Sequence, residues 1–383
     1  MCKIQIVTLR CFLFATLVAT AVLSVRAQDA KTVWAQAEQQ FKAGSFAAAI
    51  TLYKQYAQLV PNESAGPYAI GSCYYNLDQY ENALTFYEQA IRLKPDDANA
   101  NLWSAHSLYR LKRYDAAIPR YQEAARLSPQ AETYKFLGNA LDSAGRYNEA
   151  IAAYVRGTEL EPGNASLYEE IGVAHYNQNN YRAAAQAYEK CIQLDGQRGV
   201  CLSNLGDTYS KLDRDDDAVT MFQRAIKAGV TSGRPQLGLG KIYDKRKMYA
   251  AAVSVLAEGA TLDPKNADIQ FSLGNAYYND HKNAEALSYY SKAVDLSPKW
   301  TTAISYLGDA YANLAQYDKA LENYQKAIAI DAKHTNSIYG LGSVYVKQDK
   351  LELARAQAAK LEPLSADLAA KLRTSIDAAA KPQ

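Results

Sequence analysis

Side chains that could hold a metal, move a proton or attack a bond are scattered along this 383-residue chain. The four histidines, His106, His175, His281 and His334, stand far apart, with no H-x3-H or C-x2-C pair to begin a zinc site. No glycine-rich phosphate loop and no G-x-S-x-G nucleophile elbow occurs. The run Asp213-Arg214-Asp215-Asp216-Asp217 has the alternation of a calcium loop, but Ala218 stands where such a loop needs glycine and Arg224 where it needs a bidentate glutamate. It reads instead as a solvated acidic turn whose charges favour the start of the next helix. Acid pairs such as Glu169-Glu170 have the same solvated reading. The sequence therefore predicts no catalytic residue, no metal site and no cofactor.

The elements that would position a site begin after a segment of another kind. Lys3 and Arg10 precede an apolar run at residues 11–23, followed by Ser-Val-Arg-Ala-Gln. That run is shorter than the roughly 20 residues a spanning helix needs, so residues 1–27 read as a secretory signal cleaved after Ala27, with an uncleaved anchor as the competing reading. The whole chain has 42 basic and 40 acidic side chains; without Lys3, Arg10 and Arg26 it keeps 39 basic ones and a net charge of −1. Neither nucleic acid nor an anionic membrane surface is an expected partner, and no membrane span is expected after cleavage.

From there the chain repeats itself, so length does not count its domains. In residues 301–334 the apolar positions Ile304, Leu307 and Tyr311, then Tyr317, Ala320, Leu321, Tyr324, Ala327 and Ile328, have the spacing of two amphipathic helices joined by a polar turn. Gly308 and Ala320 remove bulk where the pair must cross. The position of Gly308 recurs at Ala37, Gly71, Ala105, Gly138, Gly172, Gly206, Gly240, Gly274 and Gly342. Each step is 34 residues, save one of 33 from Ala105 to Gly138, whose missing residue falls in the loop at Pro129-Gln130-Ala131. Ten hairpins are expected over 28–363. Each is too small to bury its own apolar face and is stabilised by stacking on its neighbours. After Pro363, Ser365 caps a segment with Leu368, Leu372 and Ile376 on one face, so 364–383 read as a cap helix and a frayed tail. Gly229 and Gly233 replace the usual proline at one junction, the expected soft joint.

Of five cysteines, Cys2 and Cys11 leave with the signal. Cys191 ends one hairpin and Cys201 opens the next; in an oxidising compartment they are expected to form a disulfide contributing roughly 2–3 kcal/mol, the alternative being two buried thiols. Cys73, beside Gly71, reads as an inert core thiol.

Leu307-Gly308, Tyr311, Ala320, Tyr324 and Ala327 follow the L-G-x2-Y…A-x3-F/Y pattern, and the chain resembles the tetratricopeptide repeat (TPR) family. The resemblance implies an all-α solenoid, a right-handed superhelix of antiparallel helix pairs. It further implies that the first helices line a ligand groove, here at Tyr68, Tyr75, Trp103, Tyr109, Lys135, Asn139, Tyr176, Phe271, Tyr278, Tyr306 and Tyr339, with His106, Asn275, Lys241 and Asp309 among their neighbours. That groove would be aromatic with few charges, although Tyr75, Tyr109, Tyr176 and Tyr278 have an alternative as packing against the adjacent repeat. The carboxylate clamp of cochaperone TPR domains is incomplete: Lys135 and Asn139 match its opening pair, but Glu170, Val200 and Asn204 stand where an amide and two basic residues belong.

These features predict an exported, periplasmic or secreted, non-enzymatic scaffold that binds a protein or peptide segment, with bacterial envelope assembly as the setting. The alternative is a scaffold like those of polysaccharide-export systems, binding a glycan or tethering an envelope enzyme. For the cysteines, peptide mapping without reduction is expected to recover Cys191 and Cys201 in one linked species; two separate peptides would refute the bridge.

Overall fold

The computed structural model describes residues 28–380; the expected signal at 1–27 and the tail residues 381–383 lie outside the described residues. Among the described residues all regular structure is helical, and none of these helices is long and apolar enough to cross a membrane. The chain divides into two compact units, one ending at Leu194 and the other starting at Asp195. The first holds α1 (28–42), α2 (Phe46–Leu59), α3 (Ala65–Asn76), α4 (Tyr80–Leu93), α5 (Ala98–Arg110), α6 (Tyr114–Leu127), α7 (Ala131–Ser143), α8 (Tyr147–Leu160), α9 (Ala165–Asn177) and α10 (Tyr181–Leu194). The second holds α11 (Gly199–Lys211), α12 (Asp215–Lys227), α13 (Arg234–Lys245), α14 (Tyr249–Leu262), α15 (Ala267–Asn279), α16 (Asn283–Leu296), α17 (Thr301–Asn313), α18 (Tyr317–Ile330), α19 (Thr335–Lys347), α20 (Leu351–Leu361) and α21 (Ala366–Ala379). Consecutive helices pair as hairpins, five to a unit, and α21 packs on α19 and α20.

The turn inside each hairpin uses one left-handed residue. Gly44 and Gly145 supply it in two hairpins; in the other eight it is Asp78, Lys112, Asn179, Asp213, Lys247, His281, Ala315 and Asp349, with φ between 56° and 60°. A side chain in that region costs energy that glycine avoids, so the tight turn is held by the packing of the helices it joins. Between hairpins, Asp97, Asn164 and Asn266 cap the following first helix by accepting backbone N–H groups. The one-residue deletion lies in the loop between α6 and α7, residues 128–130, where Gln130 enters α7 from an extended conformation.

The packing differs in one respect from the sequence expectation. The three atoms nearest to a Cβ at Gly308 would all belong to the Tyr324 ring, with Cε1 at 2.8 Å. The small position of the first helix makes room for an aromatic ring reaching over from the second. Gly71, Gly138, Gly172 and Gly274 accommodate Tyr87, Tyr154, Tyr188 and Tyr290 in the same way, and Gly206 accommodates Phe222. These six rings, with Tyr121, are the largest side chains removed from solvent. Glycine also lies on the far side of two of them: a Cβ at Gly340, on the next repeat, would stand 2.5 Å from Tyr324, and one at Gly238 would stand 2.3 Å from Phe222. In the last hairpin Ala358 replaces the ring, and Leu372 of α21 fills the space over Gly342. The cap helix thus completes the final repeat with its own side chain. Its N-terminus is capped by Ser365, and Leu372 and Ile376 are buried.

The junction between α12 and α13 has Gly229 at φ 82° and Gly233 at φ 69°, with Pro235 in the first turn of α13. Val230 from this junction packs against Gly199, where a Cβ would lie 2.4 Å from its methyl group.

Opposite substitutions on either side of Tyr324, one in its own hairpin and one in the next, test this packing. Gly340→Ala forces a methyl group into the Tyr324 ring and is expected to destabilise by about 1–3 kcal/mol. Ala315→Gly relieves the left-handed turn and is expected to stabilise by up to about 1 kcal/mol, both read from urea unfolding. Unchanged stability in Gly340→Ala would mean that the ring is not close-packed.

Candidate binding site

In five hairpins the phenol of the inserted tyrosine does not end in the core. It reaches through the hairpin to the residue that follows the crossing glycine or alanine. Tyr154 donates to Asn139 Oδ1 at 2.8 Å, Tyr290 to Asn275 Oδ1 at 2.8 Å, Tyr324 to Asp309 Oδ1 at 2.6 Å and Tyr87 to Ser72 Oγ at 3.3 Å. Tyr121 shares a 2.7 Å hydrogen bond with His106 Nδ1. Burial raises every one of these phenols above its ordinary pKa, so they remain neutral donors. These five repeats place a polar residue one position after the small one and use the core to hold it; the Tyr188 hairpin has Val173 there.

In the first unit these positions border a pocket of about 350 Å³ lined by Tyr75, Trp103, His106, Tyr109, Arg110, Tyr121, Phe136 and Asn139. The rings brace one another edge to face: Tyr75 with Trp103 at 5.0 Å, Trp103 with His106 at 5.1 Å and His106 with Phe136 at 4.5 Å. Burial pushes His106 down to about 4, so the imidazole is neutral at physiological pH. Arg110 is the one permanent charge of the lining; it lies 4.5 Å from the centre of the Tyr80 ring and 3.5 Å from Asp78.

The second unit has a different pocket, of about 220 Å³, lined by Gly240, Lys241, Asp244, Leu256, Asp268, Phe271, Ser272, Asn275 and Trp300. Phe271 and Trp300 are 4.6 Å apart, and Phe271 also meets Tyr306 at 5.4 Å. Asp244 accepts from Asn279 Nδ2 at 2.9 Å and 3.0 Å, one bond to each oxygen. Where the second helix inserts a residue without a phenol, the matching groove residue is charged: Asp207 opposite Phe222, Lys241 opposite Leu256. Asp207 pairs with Arg234 at 2.6 Å.

Family models for tetratricopeptide repeats match residues 68–132, 138–179, 165–198, 200–234, 267–300 and 308–349, together more than half of the chain. The chain belongs to the tetratricopeptide repeat family. Comparison with curated proteins returns no match. Among solved structures, the APC/C hetero-tetramer Cut9–Hcn1 is 16% identical, with a TM-score of 0.51 over 92% of this chain and 76% of that one. The C-terminal part of a TPR repeat-containing protein from Cytophaga hutchinsonii is 17% identical, with a TM-score of 0.50 over 64% and 98%. YrrB, described as a TPR protein with an unusual peptide-binding site, is 24% identical, with a TM-score of 0.44 over 49% and 96%. At these identities the likeness is one of fold.

The TPR groove positions named from sequence separate into groups. Tyr75, Trp103, Tyr109 and Asn139 meet in the first unit's pocket. Phe271 lines the second unit's pocket, with Tyr306 and Tyr278 in the ring cluster beside it. Tyr68 packs on Tyr87 at 5.7 Å, and Lys135 lies 3.5 Å from Ser166 Oγ. Tyr339 packs against the core that α21 completes. Tyr75, Tyr109 and Tyr176 each contact the first tyrosine of their own second helix, Tyr80, Tyr114 and Tyr181, at 5.3 Å, a contact within the hairpin and not only with the adjacent repeat. Cys191 on α10 and Cys201 on α11 are both fully buried, as is Cys73. Sequence reasoning missed Arg110, Phe136 and Trp300. Phe136 is one residue past a counted groove position, and Trp300 precedes its helix as the N-cap, outside a count made along helices. The Asp run at 215–217 is more engaged than a solvated turn: Asp215 pairs with Lys245, Asp216 with Arg246 and Asp217 with Arg214, each at 2.7 Å.

Asp309 gives a pH prediction. It faces the phenols of Tyr324, Tyr278 and Tyr306, with Asp244 also acting on Tyr306, and no ion pair reaches it among the described residues. Burial raises its carboxyl to about 6, against a partial lowering by the Tyr324 hydrogen bond. A raised carboxyl stabilises the fold below its unfolded pKa, and that stability is lost as pH rises through about 6. Asp309→Asn keeps an acceptor for Tyr324, as Asn139 and Asn275 do in their repeats. It is expected to raise stability at pH 7 by about 1–2 kcal/mol and to flatten the pH 4–6 slope in urea titrations. A slope unchanged by the substitution would contradict the assignment.

Proposed function

We propose that this protein is a non-enzymatic scaffold that captures a protein or peptide segment through the aromatic pocket of its first unit. The observation that carries the reading is the convergence of Tyr75, Trp103, Tyr109 and Phe136, from α3, α5 and α7, around one open space with Arg110 at its edge. Ring-lined pockets with a single cation are the composition of binding hot spots, since Trp and Tyr bring large contact area at low entropic cost and Arg fixes orientation. The rings are braced by one another and by the Tyr121 tether on His106, so they are organised before a partner arrives. Membership of the TPR family supports a scaffold over an enzyme.

The setting belongs to the same reading. The charged, apolar and small-residue order of residues 1–27 supports export, and with it a periplasmic or secreted site of action in envelope assembly. In an oxidising compartment the buried Cys191 and Cys201 would be joined as a disulfide.

A photo-crosslinker at Tyr109, used in the native envelope, is expected to yield a defined protein adduct. Trp103→Ala should reduce it by roughly tenfold or more while leaving the helical circular dichroism intact. Capture of polysaccharide in place of protein, or an adduct insensitive to Trp103→Ala, would overturn the proposal.

A further inference from the structure

The pocket of the second unit is built from different chemistry, and the difference specifies a ligand. Its aromatic walls, Phe271 and Trp300, stand 4.6 Å apart at 47°. Its ionised lining is Asp244, Asp268 and Lys241, an excess of one negative charge. Asp244 is held by the amide of Asn279 and forms no ion pair among the described residues; each of its oxygens keeps a lone pair for a further donor. Lys241 is exposed and is not within ion-pair distance of it. Beside the pocket, Asp244 and Asp309 both act on the Tyr306 phenol, and no basic side chain offsets them there. This contrasts with Asp207 in the same unit, which Arg234 neutralises.

A second feature is independent of the carboxylates. Ser272 lines the same pocket, and its hydroxyl is a neutral group able to accept a hydrogen bond there. A carboxylate and a hydroxyl therefore converge with two aromatic rings. The space is below the roughly 300 Å³ at which pockets for drug-sized ligands begin, which suits one long side chain rather than a whole segment.

We infer that the second unit's pocket is a recognition site for a single arginine side chain of a partner polypeptide, its guanidinium lying on the Trp300 ring, which Phe271 braces, and donating to Asp244 and the Ser272 hydroxyl. A guanidinium fits because it is planar, stacks on aromatic faces and presents several N–H donors in a fixed fork. Carboxylates set among rings favour a cation over a neutral side chain of the same shape, and a phosphate or carboxylate ligand would be repelled. The site is separate from the aromatic pocket of the first unit and stands whether or not that pocket takes a peptide.

The test uses the full chain and a blocked tripeptide, N-acetyl-Gly-Arg-Gly-amide, with citrulline as the neutral isostere. The indole N–H resonance of Trp300, assigned with Trp300→Phe, reports the site; those of Trp34 and Trp103 are internal controls. The arginine peptide is expected to shift the Trp300 resonance in a saturable way, the citrulline peptide to bind roughly tenfold or more weakly, and Asp244→Asn to weaken the arginine peptide to a similar degree. Trp103→Ala, which removes a wall of the first unit's pocket, should leave the titration unchanged. Equal titration by citrulline, no Trp300 shift up to about 10 mM peptide, or loss of binding in Trp103→Ala would each overturn the assignment. The citrulline comparison needs no variant, so misfolding of Asp244→Asn cannot decide the outcome.

Discussion

In four hairpins a tyrosine on the second helix lies across a glycine of the first and ends in a hydrogen bond with the residue after that glycine. One side chain thereby does three things. Its ring fills the crossing, where a Cβ on Gly138 would stand 2.3 Å from Tyr154 and one on Gly274 2.6 Å from Tyr290. Its burial supplies much of the apolar area that an isolated hairpin lacks. Its hydroxyl, which cannot be left unsatisfied in the core, fixes a polar residue on the face where ligands would bind. Elsewhere another side chain fills the crossing: Phe222 over Gly206, Leu256 over Gly240 and, in the last repeat, Leu372 of the cap helix over Gly342.

The same contact explains why the two units offer different surfaces. His106 and Asn139 in the first unit are tied to Tyr121 and Tyr154, and around them the lining is almost wholly aromatic. In the second unit Phe222 and Leu256 replace tyrosine, and the residues they would have tied, Asp207 and Lys241, are charged. Asp309 retains its phenol but as a buried carboxylate, at a cost that Asn139 and Asn275 avoid. Departures from the tyrosine pattern at Phe222 and Leu256 are therefore where charge enters, and charge separates the second unit's pocket from the aromatic one of the first.

Much of this was legible in the sequence, for physical reasons. The 34-residue recurrence from Ala37 to Gly342 located every hairpin and the shortened loop, because helical periodicity and small crossing residues leave a direct trace. The αL residue of the turns left none: eight of the ten are not glycine, and nothing about Lys112 or Ala315 as residue types announces φ near 60°. The crossing glycines were visible, but which bulk they accommodated was not, since Ala320 and Tyr324 are both on the second helix and only packing decides between them. Groove positions carried over by repeat number include Trp103 and Phe271, which line the two pockets. They missed Trp300, a loop residue, and Arg110, whose place depends on Tyr80 and Asp78 of the preceding repeat.

The central claim is that the core phenol and the groove residue act as one unit. The most direct measurement is a double-mutant cycle in urea unfolding on Tyr154→Phe and Asn139→Ala, which removes the 2.8 Å hydrogen bond from either end while keeping the ring over Gly138. The account predicts a coupling energy of about 1 kcal/mol, with Tyr154→Phe alone costing much of what the double variant costs. Strictly additive effects would contradict it, and would make the groove residues independent of the core beneath them.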